Sequence, residues 1–259
     1  MSAAFFEPDG QRFVPSELTR GPWDPGAQHA GPPAALLGRA IERCGEPDGL
    51  QVGRVTFEIL KPVPLAPLTV EAHVARPGRS VELIEASLSG PDGELVRARG
   101  WRIRTRPVEL EPPPPGDPPP PGPGEGEEGA FFDTGNDVGY HTAMESRFVS
   151  GGYLEPGPAT VWMRMRQPLV AGEEPTPLQR VLVAADSGNG VSAALDWRRF
   201  LFINTDLSVH LMRMPAGEWV CLDARTFPEP SGVGLADTAL FDERGRIGRS
   251  AQTLLVRAR

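Results

Sequence analysis

The sequence predicts an α+β protein in which one unit, a long helix followed by an antiparallel run of strands, is used twice. An internal match is the first observation: Val81–Arg104 and Val233–Val256 lie 152 positions apart and align without a gap. Five residues recur, namely Val81, Leu83, Leu88, Gly93 and Arg97 as Val233, Leu235, Leu240, Gly245 and Arg249. The second observation is that the segments before the two matching stretches also correspond. Duplication of one unit accounts for both observations, so a functional site is expected where the two copies differ.

Composition and charge narrow the classes of function. The 259 residues are 39% hydrophobic and 23% charged, which is typical of a globular protein. Two units of about 110–130 residues can each bury a core. A net charge of −8 argues against nucleic acid and against an anionic membrane as the main partner, because both require a basic surface. No stretch approaches about 18 apolar residues, so no membrane span is expected.

Two further features favour a cytoplasmic location. The first 25 residues lack the basic start and apolar stretch of a secretory signal. Cys44 and Cys221 lie far apart and outside any CxxC motif, so reduced thiols are expected rather than a disulfide.

The first half begins with short extended segments and continues with a helix. Phe5–Phe13 and Glu17–Trp23 are predicted to be short extended segments, with a turn at Pro8-Asp9-Gly10. Pro32 and Pro33 suit the first turn of a helix, and Ala34–Arg43 carries an apolar face at helical spacing. Proline and glycine then separate four predicted strands: Gln51–Leu60, Leu68–Arg76, Val81–Ser89 and Leu95–Arg104.

A segment rich in proline, glycine and glutamate separates the halves. Residues 107–129 contain the run EPPPPGDPPPPGPGEGEEG, which offers no side chains to bury. We predict a flexible, polyproline-rich linker without fixed tertiary contacts. The predicted domains are therefore residues 1–106 and residues 130–259, the second of which carries the expected site.

The second half repeats the order of the first. A helix is predicted at Pro177–Ala185 with a continuation to Leu195, and the predicted strands are Glu145–Tyr153, Ala159–Gln167, Phe200–Met212, Trp219–Thr226, Val233–Asp242 and Ile247–Arg257. A long helix followed by an antiparallel run packs on one face of a sheet and is not a βαβ alternation. GxxxxGK[ST] does not occur, and the one GxGxxG match, Gly124–Gly129, lies in the proline- and glutamate-rich segment rather than between a strand and a helix, which argues against nucleotide binding.

Two other chemistries also find no support. The four histidines His29, His73, His141 and His210 are scattered, so no metal site is expected. A serine hydrolase would need a GxSxG elbow, which the sequence lacks.

Several segments resemble the TesB-like acyl-CoA thioesterases of the double-hotdog type. HAGPPAALLGRAIE (residues 29–42) and RVTFEILKPVP (54–64) resemble the N-terminal hotdog of that family. VLVAADSGNGVSAALDW (181–197), FINTDLSVHLMR (202–213) and GRSAQTLLVR (248–257) resemble its C-terminal hotdog. The resemblance implies two antiparallel sheets, each wrapped around a long helix and joined into one pseudo-dimer. It also implies an acyl-CoA substrate, a place in lipid metabolism, no cofactor, and a homo-oligomer as a further option.

The resemblance also implies catalytic residues that orient and activate a water. The family's aspartate on the central helix matches Asp186, and its glutamine on the last strand matches Gln252. The family's threonine falls on Asn204, with Thr205 next to it. Neighbours in a strand point to opposite faces, so only one of these two can face the site. Register favours Asn204 and chemistry favours Thr205.

The internal match gives an independent reason to select Gln252. Its counterpart in the first copy is Gly100, and the helix of the first copy has no aspartate. A buried carboxylate and a buried amide in one copy only are costly unless they are paired or used. The alternatives are that Asp186 caps a break in the helix at Ser187–Gly190, and that Gln252 is a satisfied surface amide.

Glycines near Asp186 suggest how an oxyanion could be held. Gly188 and Gly190 have no side chain, so backbone N–H groups there can approach a carbonyl oxygen closely. In the first half, His29 and Gly31 could have the same role or shape an acyl tunnel. A general base is the alternative role for His29.

Two other functions remain open at this stage. The fold could serve a non-catalytic acyl-thioester binding protein, with Asn204 weakening the reaction. An enoyl-CoA hydratase or dehydratase would need an aspartate and a histidine together at the end of the helix. The residues after Asp186, SGNGVSAAL, include no histidine, which argues against it.

Overall fold

The computed structural model describes residues 4–111 and 119–259. Its first half contains β1 (Phe6–Asp9), β2 (Arg12–Pro15), α1 (Gly31–Arg43), β3 (Leu50–Ile59), β4 (Leu68–Arg76), β5 (Val81–Gly90) and β6 (Gly93–Arg104). The predicted helix and the four strands after it are all present. The helix starts at Gly31, and Pro32 and Pro33 occupy first-turn positions, as predicted, where a backbone N–H would have no partner. Glu17–Thr19, predicted to be extended, is instead a single turn of 3-10 helix.

The second half contains β7 (Glu127–Glu128), α2 (Tyr140–Ala143), β8 (Met144–Gly152), β9 (Glu155–Met165), α3 (Pro177–Ala185), α4 (Gly188–Val191), β10 (Phe200–Asn204), β11 (Asp206–Leu211), β12 (Val220–Pro228), β13 (Val233–Asp242) and β14 (Gly245–Ala258). The predicted helix Pro177–Ala185 is confirmed, but its continuation to Leu195 is helical only at Gly188–Val191 and is separated from α3 by a break. The helix stops at Ala185, and only the short α4 follows before Phe200. The predicted strand Phe200–Met212 is interrupted at Thr205, which separates β10 from β11.

The strands form one antiparallel sheet. Neighbours follow the order β1-β2-β4-β5-β6-β3-β11-β14-β13-β12-β9-β8-β7, and β10 also pairs with β14. The halves meet where β3 pairs with β11. The prediction of two sheets is therefore replaced by one continuous sheet, in which backbone hydrogen bonds join the halves.

The two matching stretches adopt the same register. In the first half Ile84 of β5 lies opposite Gly100 of β6, and in the second half Ala236 of β13 lies opposite Gln252 of β14. Each residue of the second pair is 152 positions after its counterpart. Each hairpin also has a bulge at the corresponding place. Position 100 and position 252 are thus structurally equivalent.

A local two-fold relation connects the halves at their junction. Ser208 of β11 lies opposite Thr56 of β3, and it is also 152 positions after Thr56. The two hydroxyl oxygens lie 3.4 Å apart. A residue that faces its own counterpart is the pattern of a two-fold interface.

The helices α1 and α3 pack against each other in opposite directions. A side chain at Gly31 would overlap the carbonyl oxygen of Val183, and a side chain at Gly38 would overlap Leu182. The start of α1 therefore lies beside the end of α3. The helix α1 packs on β4 and β5, and the helix α3 packs on β9 and β12. Among the described residues, no helix combines the length and the apolar character needed to cross a membrane.

The predicted linker, residues 107–129, is only partly tested. Residues 112–118 lie outside the described residues. At its end, the indole nitrogen of Trp162 donates to the carbonyl oxygen of Pro121 at 2.7 Å, and β7 pairs with β8. The expectation of no fixed contacts is wrong for this end of the segment, because its backbone groups find partners on the sheet. The domain boundaries remain a prediction.

Candidate active site

A pocket of about 450 Å³ lies between the two halves at the end of α3. The first half contributes His29 and Val63 among others, and the second half contributes Asp186 and Asn204. Its walls are largely apolar, with a few polar groups that converge near Asp186. Such a combination is typical of small-molecule sites.

Asp186 lies at this pocket because the helix ends there. Thr176 begins α3 by accepting a hydrogen bond from the backbone of Gln179 at 3.3 Å, and Asp186 is the residue that follows the last helical residue. Its side chain is 6% exposed. One carboxylate oxygen, Oδ1, accepts hydrogen bonds from Asn204 Nδ2 at 2.9 Å and from Gln252 Nε2 at 3.2 Å. A buried carboxylate with two amide donors is held in a defined orientation.

Gln252 joins the end of α3 to the start of α4. Its Nε2 also donates to the backbone oxygen of Asp186 at 3.1 Å, and its Oε1 accepts from the backbone N–H of Asn189 at 3.0 Å. Gly188 makes room for it, since an added Cβ would lie 3.3 Å from Oε1 and 2.6 Å from the hydroxyl of Thr238. The amide is buried and hydrogen-bonded at both ends, unlike a surface glutamine.

The choice between Asn204 and Thr205 is decided by the break between β10 and β11. Asn204 is the residue whose side chain contacts Asp186. Thr205 is exposed at the pocket rim, and its hydroxyl lies 3.4 Å from the carbonyl oxygen of Thr253. The register of the strand, which favoured Asn204, predicted this contact, whereas side-chain chemistry favoured Thr205.

His29 contacts the other oxygen of the same carboxylate. Its Nδ1 lies 3.1 Å from Asp186 Oδ2, and its ring stacks on Tyr140 with centroids 3.7 Å apart and planes 2° apart. Burial lowers the pKa of the imidazole, and the nearby Asp186 carboxylate opposes part of that shift. The imidazole is therefore neutral near pH 7.

The three glycines selected from the sequence lie in different places. Gly190 lines the pocket, and no atom lies within 4 Å of the position its Cβ would take. Gly188 packs against Thr238, and Gly31 packs against the backbone of α3. The structure thus brings Gly190 to the pocket and gives the other two a packing role.

Sequence reasoning did not select several polar residues that line this site, among them Tyr140, Ser187 and Asn189. Tyr140 donates its hydroxyl hydrogen to the carbonyl oxygen of Val183 at 2.8 Å and lies 2.9 Å from the hydroxyl of Ser187. Asn189 Nδ2 donates to the carbonyl oxygen of Phe202 at 3.2 Å, and its buried Oδ1 has no hydrogen-bond partner among the residues described. The signal available in the sequence was the rarity of tyrosine, since the chain has only Tyr140 and Tyr153. Both of them line the pocket.

Aromatic rings form the wall of the pocket away from Asp186. Phe132 stacks between Trp23 and Trp197, with centroid distances of 5.5 and 4.9 Å. Phe131 contacts Tyr153 edge-on at 4.5 Å. Phe131 and Phe132 follow the proline-rich segment after one residue, Ala130, and both line the pocket.

Comparison with protein families gives two matches that together span most of the chain. A model described as the acyl-CoA thioesterase N-terminal domain matches residues 19–103. A model described as the acyl-CoA thioesterase C-terminal domain matches residues 108–256. No curated protein sequence matches the chain.

Solved structures resemble the whole chain. A protein of unknown function with a hotdog fold from Alicyclobacillus acidocaldarius is 15% identical, with a TM-score of 0.75 over 98% of this chain and 96% of that one. A provisionally named thioesterase II from Thermobifida fusca is 17% identical, with a TM-score of 0.76 over 96% and 93%. Acyl-CoA thioesterase II TesB2 from Mycobacterium marinum is 15% identical, with a TM-score of 0.63 over 97% and 93%. These likenesses show a hotdog fold.

Proposed function

Since this chain belongs to the acyl-CoA thioesterase family and is a thioester hydrolase, we propose that it hydrolyses an acyl-CoA in the pocket beside Asp186. Water is the second substrate, and the products are a carboxylic acid and coenzyme A. One observation carries the proposal: at the wall of an apolar pocket, the carboxylate of Asp186 contacts polar groups from three separate segments. A buried charge arranged in this way is costly unless it is used.

Asp186 and its neighbours would hold the attacking water. Asn204 and Gln252 fix the carboxylate, so its remaining lone pairs point in set directions. The unpartnered Oδ1 of Asn189 is a buried acceptor on the same pocket wall, suited to a hydrogen of that water. The water would attack the thioester carbonyl carbon.

We assign the developing oxyanion to the backbone N–H of Gly190. The absence of a side chain there leaves space for the substrate carbonyl to approach. The acyl group would lie against Trp23, Phe132 and Phe202, whose rings exclude water from the reacting bond.

The first half would contribute one polar contact to the coenzyme A part of the substrate. Gln28 is buried in the pocket wall, and its Oε1 has no partner among the described residues. Coenzyme A contains amide N–H groups next to the thioester, and an amide oxygen at this place can accept from one of them.

We also interpret the duplicated unit as a double hotdog. The shared register of the two hairpins and the facing pair Thr56 and Ser208 support two related domains fused in one chain. In this arrangement each long helix lies on the strands of its own half.

Thiol release from a panel of acyl-CoA substrates tests the proposal. Asp186→Asn keeps the shape of the side chain and removes its charge, so we expect kcat to fall by about 10²-fold or more. Asp237→Asn is the matched control, because Asp237 is partly exposed on β13 and pairs with Arg249. Full turnover by Asp186→Asn would reject the site. Saturable acyl-CoA binding without thiol release by the wild type would indicate a binding protein.

The contact between His29 and Asp186 supports a second candidate function, the addition of water to an enoyl-CoA. The segment after Asp186 has no histidine, but the fold supplies one from the other half. Loss of the enoyl absorbance without thiol release would favour this reaction. Thiol release from saturated acyl-CoA substrates, with no hydration of the enoyl-CoA, would exclude it.

A further inference from the structure

His29 is a first-half residue that reaches the site of the second half. It lies just before α1, and the start of α1 lies beside the end of α3. Its side chain is 13% exposed, lines the pocket, and has Nδ1 3.1 Å from Asp186 Oδ2. An imidazole oriented by a carboxylate at a pocket wall is the arrangement that general bases use.

Two contacts compete for the Nδ1 atom of His29. The backbone N–H of Gly31 also lies 3.1 Å from Nδ1 and would donate to it. A neutral imidazole has one protonated nitrogen, so Nδ1 either accepts from Gly31 or donates to Asp186. The bond to the carboxylate is charge-assisted and stronger, whereas an unprotonated Nδ1 would turn a lone pair towards that carboxylate. We therefore assign the proton to Nδ1, which leaves Nε2 as the basic nitrogen.

The ring of Tyr140 fixes the plane of the imidazole. It stacks on His29 in a nearly parallel arrangement, and its hydroxyl is held by Val183 and Ser187 at the end of α3. The hydrogen bonds of the described residues include none to Nε2 of His29. Because His29 lines the pocket and its Nδ1 is engaged, Nε2 is the ring nitrogen available to a ligand.

We propose that His29 is the catalytic base of the hydrolysis and that Asp186 positions it, an inference that rests on the proposed function. In the first step the water oxygen bonds to the thioester carbonyl carbon, its proton passes to Nε2, and the carbonyl oxygen becomes negatively charged. In the second step the carbonyl re-forms, the C–S bond breaks, and the proton on Nε2 passes to the thiolate. The products are the carboxylic acid and the thiol of coenzyme A, and His29 is again neutral.

Few titratable groups surround the imidazole. Asp186 and Tyr140 contact it, and Asp24, Lys61 and Tyr153 line the same pocket. Burial keeps the pKa of His29 below its usual value and raises that of Tyr140 well above its usual value. The neutral base is therefore present at pH 7, and it is lost as the pH falls through the lowered pKa.

The pH dependence of kcat/KM for thiol release tests this role, with His29→Gln and His73→Gln compared with the wild-type chain. His73 is a matched control, because it is an exposed histidine on β4 whose Nε2 lies 3.7 Å from Glu85. We expect His29→Gln to lower kcat by about 10²–10⁴-fold and to remove the acid limb of the profile. His73→Gln should retain the wild-type kcat and the acid limb of the profile.

Separate outcomes would overturn the role of His29 and the proposed function. A His29→Gln protein with wild-type kcat and an unchanged acid limb would overturn the role of His29 alone. A wild-type chain that releases no thiol from any acyl-CoA would overturn the proposed function as well. If His29→Gln does not fold, His29→Ala is assayed with added imidazole. Recovery of thiol release by the folded His29→Ala protein on addition of imidazole supports His29 as the base. No recovery counts against this role.

Discussion

Position 100 of β6 and position 252 of β14 are equivalent in the two halves, yet they carry a glycine and a glutamine. In the first half, a Cβ at Gly100 would lie 2.7 Å from Ile41 of α1, so the helix side chain fills the space. In the second half the strand fills it, because Gln252 reaches the helix end and Gly188 leaves room. An aliphatic contact in one half is replaced by a hydrogen-bonded amide in the other.

The ends of α1 and α3 also differ, because a different kind of side chain lies at each of them. Arg102, which is buried, donates to three carbonyl groups at the end of α1 and pairs with Glu82. The residues 152 positions further on are Leu254 and Gly234, so the end of α3 has no such pair, and Asp186 lies there instead. In two halves with the same hairpin register, a structural ion pair closes one helix end, whereas the other helix end carries the candidate site.

Glu82→Gln tests the structural side of this comparison and has the largest expected effect. It leaves the guanidinium of Arg102, whose side chain is 1% exposed, without its carboxylate. Breaking a buried ion pair on one side costs about 3–5 kcal/mol, to be measured by urea unfolding. The folded variant should retain its kcat for thiol release.

Glu85→Gln is the control on the same strand. Glu85 pairs with Arg99, whose side chain is 60% exposed, so little change in stability is expected. A stable Glu82→Gln protein that has lost thiol release would contradict the separation of the two helix ends.

Gln252→Gly gives the second half the residue of the first and tests the functional side. The variant loses the hydrogen bonds of the amide to Asp186 and Asn189, so the carboxylate is no longer held. We expect kcat to fall by about 10²-fold. Measurement of thiol release at saturating acyl-CoA checks this, and an unchanged kcat would remove Gln252 from the site.

Gly100→Ala is the reciprocal control in the first half. The new methyl group presses on Ile41, and overpacking of this kind costs about 1–3 kcal/mol. Because the change lies away from Asp186, kcat of the folded variant should not fall.

Glu173→Gln has the smallest expected effect and tests the other end of the α1–α3 pair. Hydrogen bonds from Arg39, and then from Arg43, lower the pKa of Glu173 to about 2. Since the folded pKa lies below the usual value of 4.5, the stabilisation is present above pH 4.5 and is lost as the pH falls through about 2. Urea unfolding should show a loss of about 1–2 kcal/mol at pH 7, reduced by partial exposure, and a smaller loss at pH 3.

Glu94→Gln, which removes an ion pair on the surface, is the matched control for that experiment. Glu94 binds Arg97 three residues away on an exposed face, so its removal should change stability little at either pH. A loss for Glu173→Gln that does not shrink at pH 3 would show that the ion cluster is not its cause.

Local patterns predicted the regular elements well and the irregular ones poorly. Proline and glycine locate strand ends, and both β5 and β13 begin at the predicted residue. The bounds of α3 were predicted, but its continuation to Leu195 was not confirmed beyond Val191, and Gln252 bonds to both sides of the break after Ala185. The linker was predicted from composition, which does not record that Trp162 and β8 offer partners to its end.

Patterns along the chain were enough to predict the repeated unit and two members of the candidate site. The internal match at a spacing of 152 exposed Gln252 as a polar residue whose counterpart is glycine, and the family resemblance pointed to Asp186. The folded chain was needed to show that Asn204 rather than Thr205 contacts Asp186, and that His29 contacts the same carboxylate. His29 and Asp186 are 157 positions apart, and they meet because α1 and α3 pack in opposite directions. Local sequence patterns describe neighbours along the chain, whereas this contact depends on how two helices pack across the halves.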